Sequence, residues 1–287
     1  MPSVRIIRRR IRSVQNTAKI TKAMEMIAAS KMRRAQQKAL AARPYAERMR
    51  QVLADLSAQS AGEYDLPALL RPREEVKRIE IIHMTPDRGL CGGLNANLNR
   101  NASTFILSQK APVSITAVGR KGRDFMLRYS REVRAEFIQI GDNPSILDVG
   151  PIARTVIDDY ISGYADQIYL AYADFVSTLV QRPVLQQLLP VEPAKIEKIQ
   201  LVGYIFEPNI PGVLEHLLPR FVEMQIYHAL LEAIASEQSA RMVAMRNASD
   251  NALEMIDSLT LMLNKARQEA ITKELLDIVG GVTALEG

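Results

Sequence analysis

The sequence predicts an α/β domain inserted into the middle of a long antiparallel helical hairpin. Two long stretches near its ends lack glycine and carry apolar residues at a sustained spacing of three and four. Between them, short apolar runs alternate with helical patterns and are punctuated by Gly, Pro and Asn. The first pattern marks helices that supercoil together. The second marks a mostly parallel sheet with helices on its faces. The expected division is 1–61 for the N-terminal helix, 76–210 for the α/β domain and 211–287 for the C-terminal helix.

From Ser3 to Ala61 there is no Gly and one Pro, Pro44, in a background of Ala, Arg, Lys, Gln and Met. These residues favour helix. The steps Val4, Ile7, Ile11, Val14, Ala18, Thr21, Glu25, Ala28 and Met32 continue through Leu53 and Leu56. Most are apolar and many are Ala, which lets a partner helix approach closely. A helix of this length spans roughly 80 Å, too long to fit inside a compact domain of this size. Pro44 removes one backbone donor and predicts a bend.

In the centre, 76–84, 113–119, 136–140, 166–175, 178–190 and 200–208 read as strands, and 94–109, 123–129 and 145–163 as helices. The third helix is expected to break at Gly150-Pro151. The last strands return as an antiparallel edge, where Pro183 is tolerated.

Arg220 to Val279 is again free of Gly and Pro. Met245, Ala248, Ala252, Met255, Leu259, Leu263, Ala266 and Ala270 continue the spacing of the first helix. This second helix spans roughly 90 Å and is expected to stop at Gly280-Gly281, a good C-cap. The two terminal helices are expected to pair with each other.

The chain has 287 residues and a net charge of +5. The first fifty hold fourteen Lys and Arg against two acids, Glu25 and Glu47, so the remainder is mildly acidic. A basic arm on an acidic body predicts an acidic partner, nucleic acid or a membrane surface. No aromatic residues alternate with the charges for base stacking, and this weighs against nucleic acid. The Arg-rich start lacks acids, as transit peptides do, but its apolar register runs unbroken into the helix. No apolar run reaches the ~20 residues that span a bilayer. The one cysteine, Cys91, allows no intrachain disulfide and favours a reducing compartment.

The most enzyme-like stretch is TPDRGLCGGLN (85–95), at a strand-to-helix corner. A phosphate loop of the Walker type needs GxxxxGK[ST], and the dinucleotide fingerprint is GxGxxG. Neither occurs. Gly89, Gly92 and Gly93 offer either a nest of amides for an anion or a sharp turn. Cys91 reads as a nucleophile at a helix start or as a small buried residue. Of the histidines, only His83 is near in sequence, and a catalytic cysteine normally needs such a base. No spacing of His, Cys or acids offers metal ligands.

Five stretches then stand together: 8–36 (RRRIRSVQNTAKITKAMEMIAASKMRRAQ), 87–95 (DRGLCGGLN), 141–145 (GDNPS), 236–245 (SEQSARMVAM) and 263–281 (LNKARQEAITKELLDIVGG). In this order they resemble the gamma subunits of bacterial F-type ATP synthases, over nearly the whole chain. The resemblance implies a Rossmann-like central domain and a non-catalytic rotor shaft that binds no cofactor. In that family the shaft couples proton-driven rotation of a c-ring to ATP synthesis or hydrolysis on beta subunits. The implied partners are the alpha and beta hexameric ring, the epsilon subunit and the c-ring, with no nucleic acid. The implied location is peripheral, on the cytoplasmic face of a bacterial plasma membrane. Arg267, Gln268 and Thr272 match positions that meet a catch loop of beta. Met24 matches a position that governs coupling, where a charge would add an unwanted ion pair. Tyr204 and Glu207 match the region that touches the c-ring and epsilon. Chloroplast relatives carry an insert with a regulatory cysteine pair, which a chain with one cysteine lacks. A basic coiled-coil nucleic-acid-binding protein and a phosphate-binding α/β enzyme are the alternative readings.

Overall fold

The computed structural model describes residues 3–60, 67–192 and 209–286. The chain divides into two compact units, residues 28–241 and the two ends, 1–27 with 242–287. Helix α1 runs Val4–Ser60 and helix α5 Ile210–Glu286, so both pass from one unit into the other.

In the larger unit, a five-stranded sheet is built from β1 (Ile79–Met84), β2 (Val113–Val118), β3 (Glu132–Phe137), β4 (Gln167–Phe175) and β5 (Gln181–Leu189). The order is β3-β2-β1-β4-β5, parallel except for β5, which returns antiparallel on β4. Helices α2 (Leu94–Ser108), α3 (Arg120–Arg128) and α4 (Ile146–Ile161) connect the parallel strands. Every residue of β1 is buried, as expected of a central parallel strand covered on both faces. Its Ile81 packs with Ala102 and Ile106 of α2 and Met126 of α3. Its Ile82 and Met84 join the larger core, with Val149, Ile152 and Val156 of α4, Leu53 and Leu56 of α1, and Leu218 and Val222 of α5. Pro183 lies on the β5 edge opposite Ala173, where one side of the strand needs no donor.

Several boundaries differ from expectation. Strand β3 lies at Glu132–Phe137 rather than 136–140. Its charged Glu132, Arg134 and Glu136 alternate with half-buried Val133, Ala135 and Phe137, an edge-strand pattern that keeps other chains from pairing there. Gln139, at φ 62, turns the chain away after it. Helix α3 starts three residues earlier than predicted because its caps come from a distant loop. Thr85 Oγ1 accepts from Gly122 N at 2.7 Å, and Asp87 Oδ1 accepts from Arg120 N at 2.9 Å. Gly119, at φ 98, admits no side chain, since a Cβ would lie 1.8 Å from Thr85 O.

Helix α4 does not break at Gly150-Pro151. Ser145 and Asp148 form a capping box at its start, and Val149, Ile152, Ala153 and Val156 are fully buried. That packing outweighs one missing donor near the first turns. Helix α5 begins at Ile210, one residue before the expected boundary at 211 and ten before the stretch free of Gly and Pro, with Asn209 Oδ1 accepting from Gly212 N at 2.9 Å. It contains Pro219 and runs through Gly280-Gly281. Neither glycine takes the positive φ that a left-handed cap requires. The strand predicted at 200–208 lies outside the described residues.

The smaller unit is the pairing of the two helix ends. Arg246 Nε donates to Glu25 Oε1 at 3.0 Å, and Ser249 Oγ to the carbonyl of Ala18 at 3.4 Å. Rising numbers on α5 thus meet falling numbers on α1, as the predicted antiparallel pairing requires. On α1 the spacing holds at every step, with Ile7, Ala18, Thr21 and Glu25 buried. From Met245 onward on α5, Met245, Ser249, Ala252, Ile256, Leu259, Leu263 and Ala266 are buried or half-buried in a four-three alternation, and the predicted Ala248 is half-buried beside Ser249. Met255 and Ala270, read as seam positions, are exposed. Ser249 and Ile256 occupy the heptad positions instead. Glu25 is an acid inside the seam, and hydrogen bonds from Lys22 and then Arg246 hold its carboxyl below the ordinary range despite burial.

A second buried acid sits in the sheet. Glu80 of β1 is fully buried, accepts from Thr116 Oγ1 at 2.6 Å, and leaves Oε2 without a partner. Burial pushes its pKa up to about 7, helped by the Asp159 charge and opposed by Thr116 and Arg134. The unfolded chain loses this proton near pH 4.5 while the folded chain keeps it, so the acid costs stability progressively from pH 4.5 to 7. Glu80→Gln keeps the acceptor without the charge. It should raise unfolding free energy little at pH 5 and by about 3 kcal/mol at pH 8, checked by urea unfolding at both pH values.

Candidate functional site

The glycine-rich corner leaves β1 and enters α2, and its groups face inward. Both carboxylate oxygens of Asp87 are used, on the backbone N–H of Arg120 and of Gln139, each at 2.9 Å. Leu90 and Gly92 adopt positive φ, 65 and 58, which makes the chain turn sharply above Cys91. Cys91 is buried with Leu94, Leu98, Ala173 and Ala240. Its sulfur accepts from Asn95 Nδ2 at 3.3 Å. Burial pushes the thiol pKa up, partly offset by the charge of Arg241. Such a thiol is a poor nucleophile. His83 bonds Asn99 at 2.9 Å through Nε2, and burial pulls its pKa down. Among the described residues no group of His, Cys, Asp and Glu could hold a metal ion.

In an open α/β sheet, ligands bind at the carboxyl ends of the parallel strands. Here that rim is occupied by the chain's own helix. Ser236 Oγ of α5 donates to the carbonyl of Ala173 at 3.0 Å, and Ser239 Oγ to that of Thr178 at 2.8 Å. Gln238 Nε2 donates to Asp142 Oδ1 at 3.0 Å, and Arg241 to the carbonyl of Gly89 at 3.2 Å. Arg241 is also ion-paired to Glu237 at 2.7 Å. Ser236, Gln238 and Ser239 are all buried. From α1, Lys31 reaches Asp142 and Lys38 donates to the carbonyl of Pro144 at 3.0 Å. The corner after β1, the 141–145 loop after β3 and the SEQSAR segment of α5 therefore meet at one rim. The donors of this rim are matched to carbonyls and to two carboxylates, Asp142 and Glu237, of the same chain.

The other notable surface is the end of α5. Every side chain from Arg267 to Gly281 is exposed, including Ile271, Leu275, Leu276, Ile278 and Val279. Arg267, Gln268 and Thr272 lie on adjacent turns here. Gln268 and Thr272, four apart, share a face. Met24 is half-buried on α1, next to the seam acid Glu25. Tyr204 and Glu207 lie outside the described residues.

A family description for ATP synthase matches residues 3–285. A relative from Dehalococcoides mccartyi (strain CBDB1), an "ATP synthase gamma chain", is 60% identical over 286 residues, covering 99% of this chain and 100% of the relative. Another of that name, from Herpetosiphon aurantiacus, is 52% identical over 293 residues, 99% of each. This chain belongs to the ATP synthase gamma-chain family. Two solved structures share its fold. One, from the central stalk and c-ring of Tetrahymena thermophila mitochondrial ATP synthase, has a TM-score of 0.62 and 24% identity, over 80% of this chain and 99% of that one. The other, from Euglena gracilis mitochondrial ATP synthase, has a TM-score of 0.67 and 19% identity, over 98% of this chain and 94% of that one.

In this gamma chain, the residues that the sequence reading left without a role are those of SEQSAR. Two serines, a glutamine and an arginine within six residues of a helix were a signal, since buried polar groups on a helix need partners. Their partners are loops more than fifty residues away, and no local pattern names those.

Cys91 should resist thiol reagents in the native gamma chain and react fully on unfolding. Ellman titration with and without denaturant checks this, the expected native rate being at least about a hundredfold lower, since labelling requires local opening.

Proposed function

We propose that this gamma chain is the non-catalytic central rotor of a rotary ATP synthase. The observation that carries the reading is end-to-end similarity to gamma chains, 60% over 286 residues, including the full length of both terminal helices. The structure supports it in two ways. The nucleotide-type rim of the sheet is filled by the chain's own helix, and the end of α5 is exposed on all sides with apolar residues that call for a surrounding sleeve. The two solved structures of like fold come from a central stalk with its c-ring and from an assembly of F1 with a c-ring.

In this reading the paired helix ends turn inside an alpha and beta hexameric ring, and the sheet domain faces epsilon and the c-ring. One shaft facing three like sites matches each differently at any angle. Rotation and nucleotide affinity are then linked by a coupling free energy that acts in both directions. The basic face of α1 meets acidic loops of the stator, and charge complementarity guides that encounter. Arg267, Gln268 and Thr272 bond reversibly to beta as the shaft steps, Met24 lies at the coupling contact, and Tyr204 with Glu207 meets the c-ring and epsilon. The assembly works on the cytoplasmic face of the plasma membrane and carries ion transport through its membrane partners. No described helix of this chain is long and apolar enough to cross a membrane.

Co-expression with alpha and beta subunits tests the reading. One copy of the chain per hexamer is expected, with sustained ATPase that falls when the chain is omitted; a hexamer that never takes up the chain would sink it. Arg267→Ala with Gln268→Ala should leave assembly intact and lower ATP synthesis by roughly fivefold or more, the loss of one or two hydrogen bonds worth ~1 kcal/mol each. Synthesis rates in reconstituted vesicles measure it.

A further inference from the structure

Torque entering through the sheet domain must cross to the two long helices. Apolar packing is non-directional and resists sliding poorly. Hydrogen bonds and ion pairs weaken steeply when displaced sideways, so they resist shear. Two groups of the loop after β3 each touch both long helices. Asp142 takes Gln238 Nε2 of α5 on Oδ1 and Lys31 Nζ of α1 on Oδ2. The Pro144 carbonyl takes Lys38 of α1 at 3.0 Å and Tyr227 of α5 at 3.4 Å. The same loop region is held to the sheet by Asp87, through Gln139 N.

We propose that Asp142 is a positioning residue of the rotor, a two-handed clamp that ties both long helices to the strand-end rim and sets the torsional stiffness of the joint. The proposal rests on the rotor reading above. Its energetics separate stiffness from folding. Lys31 and Asp142 are 37% and 43% exposed, and a pair so open to solvent adds little to folding stability. Removing it leaves the fold in place and loosens α1 against the rim, where Lys38 still holds the Pro144 carbonyl. The clamp has no role in binding nucleotide. Its effect lies in how far the sheet domain turns before the helix ends follow.

The test uses the assembly with alpha and beta subunits fixed to a surface. A bead is attached through Leu107→Cys on α2, a position 71% exposed, while the native Cys91 is buried and does not label. The angular variance of the bead at rest reports stiffness. Lys31→Asp places like charges together and should raise the variance about twofold. Asp142→Lys does so too and also removes the acceptor for Gln238. The double swap should therefore bring the variance below that of Asp142→Lys alone by the share of the Lys31 pair, as expected of a directly coupled pair. ATPase of the unloaded assembly should stay at the wild-type rate in all three. Unchanged variance in the single variants, with wild-type beads rotating, overturns the clamp and leaves the rotor reading intact. Wild-type beads that never rotate overturn the rotor reading and the clamp with it. If Asp142→Lys does not assemble, Asp142→Asn is read instead. It keeps an acceptor for Gln238 and loses the charge toward Lys31, so variance must still rise, and no rise overturns the clamp.

Discussion

The seating of Ser236–Arg241 on the strand ends is the contact from which the larger unit takes its form. A parallel sheet presents loop carbonyls and turn amides at its carboxyl edge, and buried polar groups there must be satisfied. Many α/β proteins leave that edge to a ligand. Here Ser236, Ser239, Gln238 and Arg241 supply donors from a helix. A site filled by covalently attached donors is never vacated, so the edge becomes a fixed joint. The glycine-rich corner serves the joint. Its positive torsions at Leu90 and Gly92 turn the chain under Arg241, and Asp87 spends both oxygens holding neighbouring loops.

The two units solve different problems with one pair of helices. Between 28 and 241 the helices carry large side chains such as Met49, Leu53, Leu218 and Val222 into a core shared with the sheet. Between the chain ends and those positions, the seam alternates aliphatic residues such as Ile7, Ile11, Ile256 and Leu259 with the small Ala18, Thr21, Ser249 and Ala252, one layer deep. A thin seam buries less apolar area, so its stability depends more on the regularity of the repeat. From Arg267 to Gly281 every residue is exposed.

Periodicity made the helices and most of the sheet legible. The α1 repeat held at every position because each step packs on a straight heptad. On α5, Met255 was misread as a seam residue because it is apolar and near the right place. Its neighbour Ile256 fits the alternation and is half-buried, and seven residues earlier the polar Ser249 is buried in the same register. Pattern reading gives weight to apolarity, while burial follows geometry. The start of α3 and the unbroken α4 escaped for a related reason. Their caps and anchors are Thr85, Asp87 and the core around Val149, which are close in space and far or unremarkable in sequence. At 85–95 the missing Lys and Ser/Thr weighed against phosphate chemistry. What filled the rim instead was legible as SEQSAR only after its partners were known. Arg267, Gln268 and Met24 came from resemblance alone, since nothing in their spacing marks them out.

The buried carboxylate of Glu25 has a further consequence. A coiled coil of small apolar residues slips easily by one heptad, about 10 Å along the axis, because each step looks like the next. Lys22 lies on α1 and follows Glu25 in any slip, but Arg246 lies on α5, so a slip would take the partner across the seam away from a buried acid, which costs stability. The helix ends therefore keep a single phase. The pairing of residues 1–27 with 242–287 is thus an indexed joint, whose two strands of coil return to the same register whenever they are parted.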